Sequence, residues 1–233
     1  MVDLSGEMGG LWASLGAPAP GRARVIQFVG AHRGEGTSTV AREFCRFAAR
    51  RAGKTVWLVD LDLHASAQYA AIAADPGLYG VLGQPVSASP DGSAFVTIQP
   101  PARNAEGVPI PDARYVAAHS VGGAKWWVTR FRREGLKGRQ TVHILPGADY
   151  WNVLRKHADL IVIDAPSADR SQAALTVAPF IDQTVLVVAA DQPDVRSPAL
   201  LRDAIVTAGG RCAGVFFNRA RVEPPGFLRR FLS

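Results

Sequence analysis

Six short apolar, β-branched runs recur along the chain, at 25–29, 55–59, 142–145, 160–163, 184–188 and 213–217, each bounded by Gly, Asp, Pro or Asn. Continuous runs of this length, without polar alternation, predict strands buried on both faces. Helical spacing of apolar residues fills 38–51, 171–180 and 197–208 between them. Alternating strand and helix predicts an α/β fold in which a mostly parallel central sheet is flanked by helices on both faces. Functional residues are then expected at the carboxyl ends of the strands.

Three regions depart from this rhythm. Leu4, Met8, Leu11, Trp12 and Leu15 lie at helical spacing, ahead of Ala17-Pro18-Ala19-Pro20-Gly21. They predict a short amphipathic helix on a linker, weakened by Gly9 and Gly10, which either packs on the domain or docks a partner. Residues 84–113 carry prolines at 85, 90, 100, 101, 109 and 111 and are expected to form a long irregular loop around a short strand at 95–98. The densest basic stretch runs from Lys125-Trp126-Trp127 through Arg130-Phe131-Arg132-Arg133 to Lys137 and Arg139. Two readings stay open for it: a solvated helix with its tryptophans turned inward, or contact with an anionic membrane or acidic partner. The expected division is an N-terminal segment and linker at 1–21, one P-loop NTPase-like domain at 22–220 and a basic tail at 221–233.

The chemistry is concentrated in three segments. Gly30-Ala31-His32-Arg33-Gly34-Glu35-Gly36-Thr37-Ser38-Thr39 joins the first strand to the first long helix, the context of a phosphate-binding P-loop. In the pattern G-x-x-x-x-G-K-[ST], read back from Gly36, Ala31 takes the first glycine and Thr37 the lysine. Gly34, Glu35 and Gly36 can still turn backbone N–H groups toward a phosphate at a helix N-terminus. Thr37 and Thr39 complete that cradle, and Ser38 takes the Mg²⁺-ligating hydroxyl position. The second segment, Val59-Asp60-Leu61-Asp62, ends a strand in two carboxylates two residues apart; extended geometry would point both at one cation or water. The third, Ile163-Asp164-Ala165-Pro166, is an apolar strand ending in aspartate. Mg²⁺ is commonly held through one or two carboxylates plus phosphate oxygens, a set matched by Ser38, Asp60 and Asp164.

Together these segments resemble the deviant-Walker ATPases, and within them the bacterial tyrosine kinases of capsule and exopolysaccharide synthesis. Gly34-Glu35-Gly36-Thr37-Ser38-Thr39 is similar to that family's GEGKST loop. Val59-Asp60-Leu61-Asp62-Leu63-His64 resembles its VDxDxR motif, and Ile163-Asp164-Ala165-Pro166 its Walker B strand. Gly77-Leu78-Tyr79-Gly80-Val81-Leu82, Ile144-Leu145-Pro146-Gly147 and Gly214-Val215-Phe216-Phe217-Asn218-Arg219 are weaker echoes. The resemblance implies ATP or ADP with Mg²⁺ as cofactors, Asn218 near the purine, and Asp60 and Asp62 as the catalytic carboxylates. It also implies a transmembrane polysaccharide co-polymerase or export protein as partner and a cytoplasmic place at the inner face of the plasma membrane. Four departures accompany it. Thr37 replaces the lysine, and His64 stands at an expected arginine. Glu7, Gly10 and Ala13 stand where a ring-forming Glu-x-x-Arg-x-x-Arg would be. No tyrosine follows Tyr150, where the family carries a phosphorylatable cluster.

Composition narrows the picture further. With 48% hydrophobic and 20% charged residues among 233, the chain can bury a substantial core, and no apolar run approaches the ~20 residues needed to span a bilayer. Cys45 and Cys212 lack metal spacing and are expected to be core residues in a reducing compartment. A net charge of +6 favours acidic partners, yet no helix-turn-helix or zinc pattern points to specific nucleic acid. A unit charge about 4 Å from a phosphate is worth roughly 4 kcal/mol at an effective dielectric near 20, so the missing lysine predicts impaired catalysis with binding retained. The leading expectation is a degenerate regulatory or adaptor subunit with weak or no ATP turnover. An active tyrosine kinase or ATPase using Arg33, His32 or a partner's residue is the alternative, and a membrane- or DNA-associated positioning ATPase the third.

Overall fold

In the computed structural model, which describes residues 4–16, 21–123, 125–192 and 194–220, the elements follow one another as α1 (Ser5–Leu15), β1 (Arg24–Gly30), α2 (Thr37–Ala49), β2 (Val56–Asp60), α3 (Ala67–Ala74), α4 (Pro76–Tyr79), β3 (Val86–Ser87), β4 (Val96–Gln99), β5 (Val116–Ser120), β6 (Trp126–Phe131), β7 (Thr141–Ile144), α5 (Asp149–His157), β8 (Leu160–Asp164), α6 (Ala173–Val177), β9 (Gln183–Ala189), α7 (Arg196–Thr207) and β10 (Cys212–Asn218). The basic tail at 221–233 lies outside the described residues. The central sheet has eight strands in the order β10-β9-β1-β8-β2-β6-β5-β3. Pairings from β10 across to β6 are parallel, and β5 and β3 add antiparallel at the far edge. The expected α/β architecture is present.

β1, β2 and β8 are buried almost throughout, which is why they read as unbroken apolar runs. Each face of the sheet has its own core. On one side Val40, Phe44 and Cys45 of α2 pack with Ile72 of α3 and Phe28 and Leu58 of the sheet. On the other, Trp151 and Leu154 of α5, Val177 of α6 and Ile205 of α7 pack against Val29, Val59 and Ile163. α2 buries Val40, Ala41, Phe44, Cys45 and Ala48, one helical stripe that lays it across β1 and fixes where its N-terminus points.

Several sequence expectations need correction. The stretch from Lys125 to Phe131 is not a helix. β6 runs through it, with Trp126, Val128 and Phe131 buried, Trp127 stacked on Trp57 with ring centroids 5.6 Å apart, and the Lys125 ammonium donating to the Gly53 carbonyl at 2.7 Å. Its aromatics therefore serve the core and offer no apolar face to a bilayer. The strand expected at 142–145 leaves the central sheet and, as β7, pairs antiparallel with β4 in a separate two-stranded sheet. Residues 84–113 do form the expected loop around a short strand, β4, and the loop is pinned to the domain because Ala88, Phe95, Val96, Ile98 and Ala102 are buried in the core that contains α5. Cys45 is buried as expected, whereas Cys212 is half-exposed.

α1 packs on its own domain. Met8 and Leu15 are buried, and the Trp12 ring sits 5.9 Å from Phe44 and 6.3 Å from Phe47. Truncating a fully buried methionine leaves a cavity, so Met8→Ala should lower unfolding free energy in urea by about 2–5 kcal/mol with the m-value unchanged. A loss below about 0.5 kcal/mol would mean that α1 contributes nothing to the core.

Candidate functional site

Three loops meet at the carboxyl ends of β1, β2 and β8. In the first, Gly34 and Gly36 hold left-handed backbone at φ 95° and 87°, which side-chain-bearing residues rarely adopt. Glu35 folds beneath this loop: its carboxylate is buried and accepts the His32 N–H at 2.8 Å. A Cβ at Gly30 would stand 2.5 Å from that carboxylate, so the glycine there is required by the brace. From above, the Asn218 carboxamide donates to the Glu35 carbonyl at 2.8 Å and the Arg219 guanidinium to the Gly34 carbonyl at 2.6 Å. The end of β10 thus straps the loop. Asn218 spends both ends of its amide locally, since its oxygen accepts the Arg219 N–H at 3.0 Å.

Thr37, at the lysine position, is buried at the first turn of α2, while Ser38 and Thr39 are more exposed. His32 is held between two carboxylates, with Nε2 2.8 Å from Asp194 and Nδ1 3.5 Å from Asp169, and these partners raise its pKa above the ordinary imidazole value. Arg33 is exposed and has no carboxylate partner among the described residues.

Asp60 and Asp164 close β2 and β8 and face each other in register on adjacent parallel strands. Both are almost fully buried. Burial raises both carboxyl pKa values above the usual range, and at Asp60 the neighbouring Asp164 adds to the shift. At neutral pH such a pair retains a proton or requires a cation. Asp60 accepts the backbone N–H groups of Asp62 at 2.8 Å and Gln68 at 3.0 Å. Asp164 Oδ2 accepts from the Gln68 carboxamide at 2.6 Å, and the Ser38 hydroxyl lies close enough to favour its ionised form. Asp164 Oδ1 is buried without any partner.

The expectation that Asp60 and Asp62 share a face fails for a local reason: β2 ends at Asp60, so the period-2 geometry stops there. Asp62 turns instead to Arg170, 3.2 Å away, and lines a separate polar cavity of about 360 Å³ with His64 and His143. A larger cavity of about 900 Å³ opens beside the glycine loop, walled by Gly36, Thr39, Arg42, Tyr79, Phe216 and Asn218. Gln68 was not singled out in the sequence, although a polar residue four positions before buried Ile72 on an otherwise apolar helix was a usable signal.

The residues fit a divalent cation. Two buried facing carboxylates, an adjacent hydroxyl and an orphaned buried oxygen form a hard, oxygen-only donor set. Among the described residues no group of three or more His, Cys, Asp or Glu could hold a metal, so a cation here would complete its shell with water or phosphate oxygens.

No protein-family model and no curated protein matches the sequence. Solved structures do. The kinase domain of Escherichia coli tyrosine kinase ETK superposes with TM-score 0.57 at 15% identity, over 87% of this chain and 71% of that one. A ParA family ATPase from Chlorobium tepidum gives 0.53 at 15% identity, over 86% and 75%. Cobyrinic acid a,c-diamide synthase from Mycobacterium smegmatis, with bound ADP and magnesium, gives 0.53 at 15% identity, over 90% and 80%. The chain has the P-loop fold shared by bacterial tyrosine-kinase domains and ParA-type ATPases.

The buried pair makes a pH prediction. Its raised carboxyl pKa values contribute stability that is full below the ordinary carboxylate range, near pH 4, and is lost as pH rises through the raised values. Asp164→Asn can turn its oxygen to Gln68 and its amide toward Asp60, relieving the repulsion. In EDTA at pH 8.5 it should raise Tm by about 2–4 °C for each kcal/mol relieved, and the gain should shrink toward pH 5. Equal gains at both pH values would show that the pair is not under electrostatic strain.

Proposed function

We propose that this chain is a tyrosine-kinase-like P-loop subunit of bacterial exopolysaccharide or capsular polysaccharide biosynthesis or export, acting as a nucleotide-dependent adaptor with weak or no ATP turnover. One observation carries the reading: the Asp60–Asp164 pair keeps an unpaired buried oxygen beside Ser38, while the first turn of α2 presents Thr37 in place of a lysine. Ser38 and Asp164, with Asp60 behind them, would hold Mg²⁺, and the backbone of Gly34–Thr39 would hold the phosphates of ATP or ADP. Bound Mg²⁺ would supply neutralising charge for the phosphate oxygens. Asp60 orients the loop after β2 through two backbone N–H groups, and Asp62 is engaged by Arg170. The cavity beside Gly36 and Thr39 has room for a nucleoside.

What is missing matters equally. Thr37 offers a hydroxyl without charge, and His32 is bound by carboxylates of its own chain. Loss of one transition-state donor typically costs about 10²- to 10³-fold in rate. Among the described residues no helix is long and apolar enough to cross a membrane. The proposed place at the inner face of the plasma membrane therefore rests on a transmembrane co-polymerase or export partner. Exposed Arg133, Lys137 and Arg139 add electrostatic attraction to anionic headgroups, without aromatic insertion.

Isothermal titration with ATP·Mg²⁺ and an ATPase assay test the proposal together. Saturable binding with negligible turnover is expected, and Thr37→Lys should tighten binding by about 10²- to 10³-fold by restoring a cation near the phosphates. Absence of binding would sink the reading. So would robust turnover that survives Thr37→Ala and disappears in Asp164→Ala.

A further inference from the structure

Gln68 is completely buried, and its backbone N–H and side-chain amide link the candidate cation site to α2. Its backbone N–H holds Asp60 Oδ2 at 3.0 Å. Its side-chain nitrogen donates to Asp164 Oδ2 at 2.6 Å and to the Ser38 carbonyl at 2.8 Å. Its side-chain oxygen accepts from the Arg42 guanidinium at 3.0 Å. One residue therefore touches both carboxylates and the first turn of α2.

The orientation of this amide is chemically determined. Arginine has donors only, so the oxygen must face Arg42 and the NH₂ must face Asp164. A flipped amide would set its oxygen against a carboxylate and its hydrogens against a guanidinium. Arg42 is itself fixed, since it donates to the Tyr79 hydroxyl at 3.0 Å, and that hydroxyl donates to buried Glu43 at 2.9 Å. Arg42, Glu43 and Tyr79 all wall the large cavity beside the glycine loop.

We propose that Gln68 is the positioning residue of the cation site, locking Asp164 so that Oδ2 is occupied and Oδ1 stays open, with Arg42 setting the direction of the amide. This deepens the nucleotide-and-Mg²⁺ reading and rests on it for the identity of the physiological cation. Outer partners of a ligating carboxylate restrict its rotation before the metal arrives, and their loss typically costs about 10- to 100-fold in metal affinity. The same lock ties the carboxylates to the cavity wall, so a ligand that moves Arg42 releases the Gln68 oxygen and loosens Asp164.

Binding of Mn²⁺ alone, followed by electron paramagnetic resonance of the free ion, tests the proposal without nucleotide or turnover. The wild-type chain should bind Mn²⁺ at this site, with Asp164→Asn abolishing it. Gln68→Leu should weaken binding about tenfold or more. Arg42 is only half-buried, so Arg42→Met should fold normally and weaken Mn²⁺ by a smaller factor, because no donor then holds the amide oxygen. A purely structural Gln68 would lower urea stability and leave the Mn²⁺ affinity of the folded variants within about twofold of wild type; that result overturns the proposal. Wild-type protein that binds no Mn²⁺ overturns it as well. Weakened Mn²⁺ binding in both variants, in a protein that fails to bind ATP or ADP, supports the Gln68 assignment while removing the nucleotide reading.

Discussion

Two carboxylates facing each other at the ends of adjacent buried strands set the terms for everything around them. Asp60 and Asp164 cannot both ionise in this environment without help, because burial penalises each charge and each penalises the other. The protein supplies only partial compensation: backbone N–H groups for Asp60, and an amide with a serine hydroxyl for Asp164. No basic side chain comes to either carboxylate with an ion pair among the described residues. A fold that sought stability alone would have replaced one of the pair by an apolar residue, as buried ion pairs show when they are exchanged for hydrophobic ones. Retaining both is a cost that a cation held there, as proposed, would offset.

The loop over this pair is held by the protein itself to an unusual degree. Glu35 braces it from below, Asn218 and Arg219 strap it from the end of β10, and His32 anchors its flank to Asp169 and Asp194. Because the His32 imidazole is raised by those carboxylates, the anchor strengthens below its pKa and weakens as pH rises through it. These ties span the carboxyl ends of β1, β8, β9 and β10, so the loop's shape depends on tertiary contacts as well as on its glycines. A loop pre-shaped in this way loses less order when a phosphate arrives, which partly offsets the absence of a lysine.

Much of this arrangement was legible in the chain. Strands buried on both faces leave uninterrupted apolar runs, so β1, β2, β8 and β9 stood out, and with them the carboxylates that close β2 and β8. The run at 213–217 read the same way, yet β10 is an edge strand with Val215 and Phe217 exposed. The far edge of the sheet was harder to read. In β6 the residues Trp126, Thr129 and Arg130 mix aromatic, polar and charged types, because Thr129 hydrogen-bonds Asp60 and Arg130 lies over the Tyr69 ring. That composition imitates a basic amphipathic segment. β7 failed for the opposite reason: an apolar core to its pattern suggested the main sheet, although alternate exposure marks a strand with one face open. Gln68 escaped notice because a single polar side chain in Ala67–Ala74 reads as surface until its neighbours are known.

The departure at Thr37 takes its meaning from what surrounds it. A lysine at the start of α2 would contribute a positive charge where the chain otherwise offers only N–H dipoles and a hydroxyl. Had the site been abandoned, nothing would oppose replacement of the paired carboxylates or the orphaned Asp164 oxygen, each of which costs folding free energy. On the proposed reading, the cation half of the site would keep its electrostatics while the phosphate half would rest on backbone N–H groups. Such an arrangement would then favour a tightly held metal over a firmly gripped anion, and occupancy-dependent docking over phosphoryl transfer.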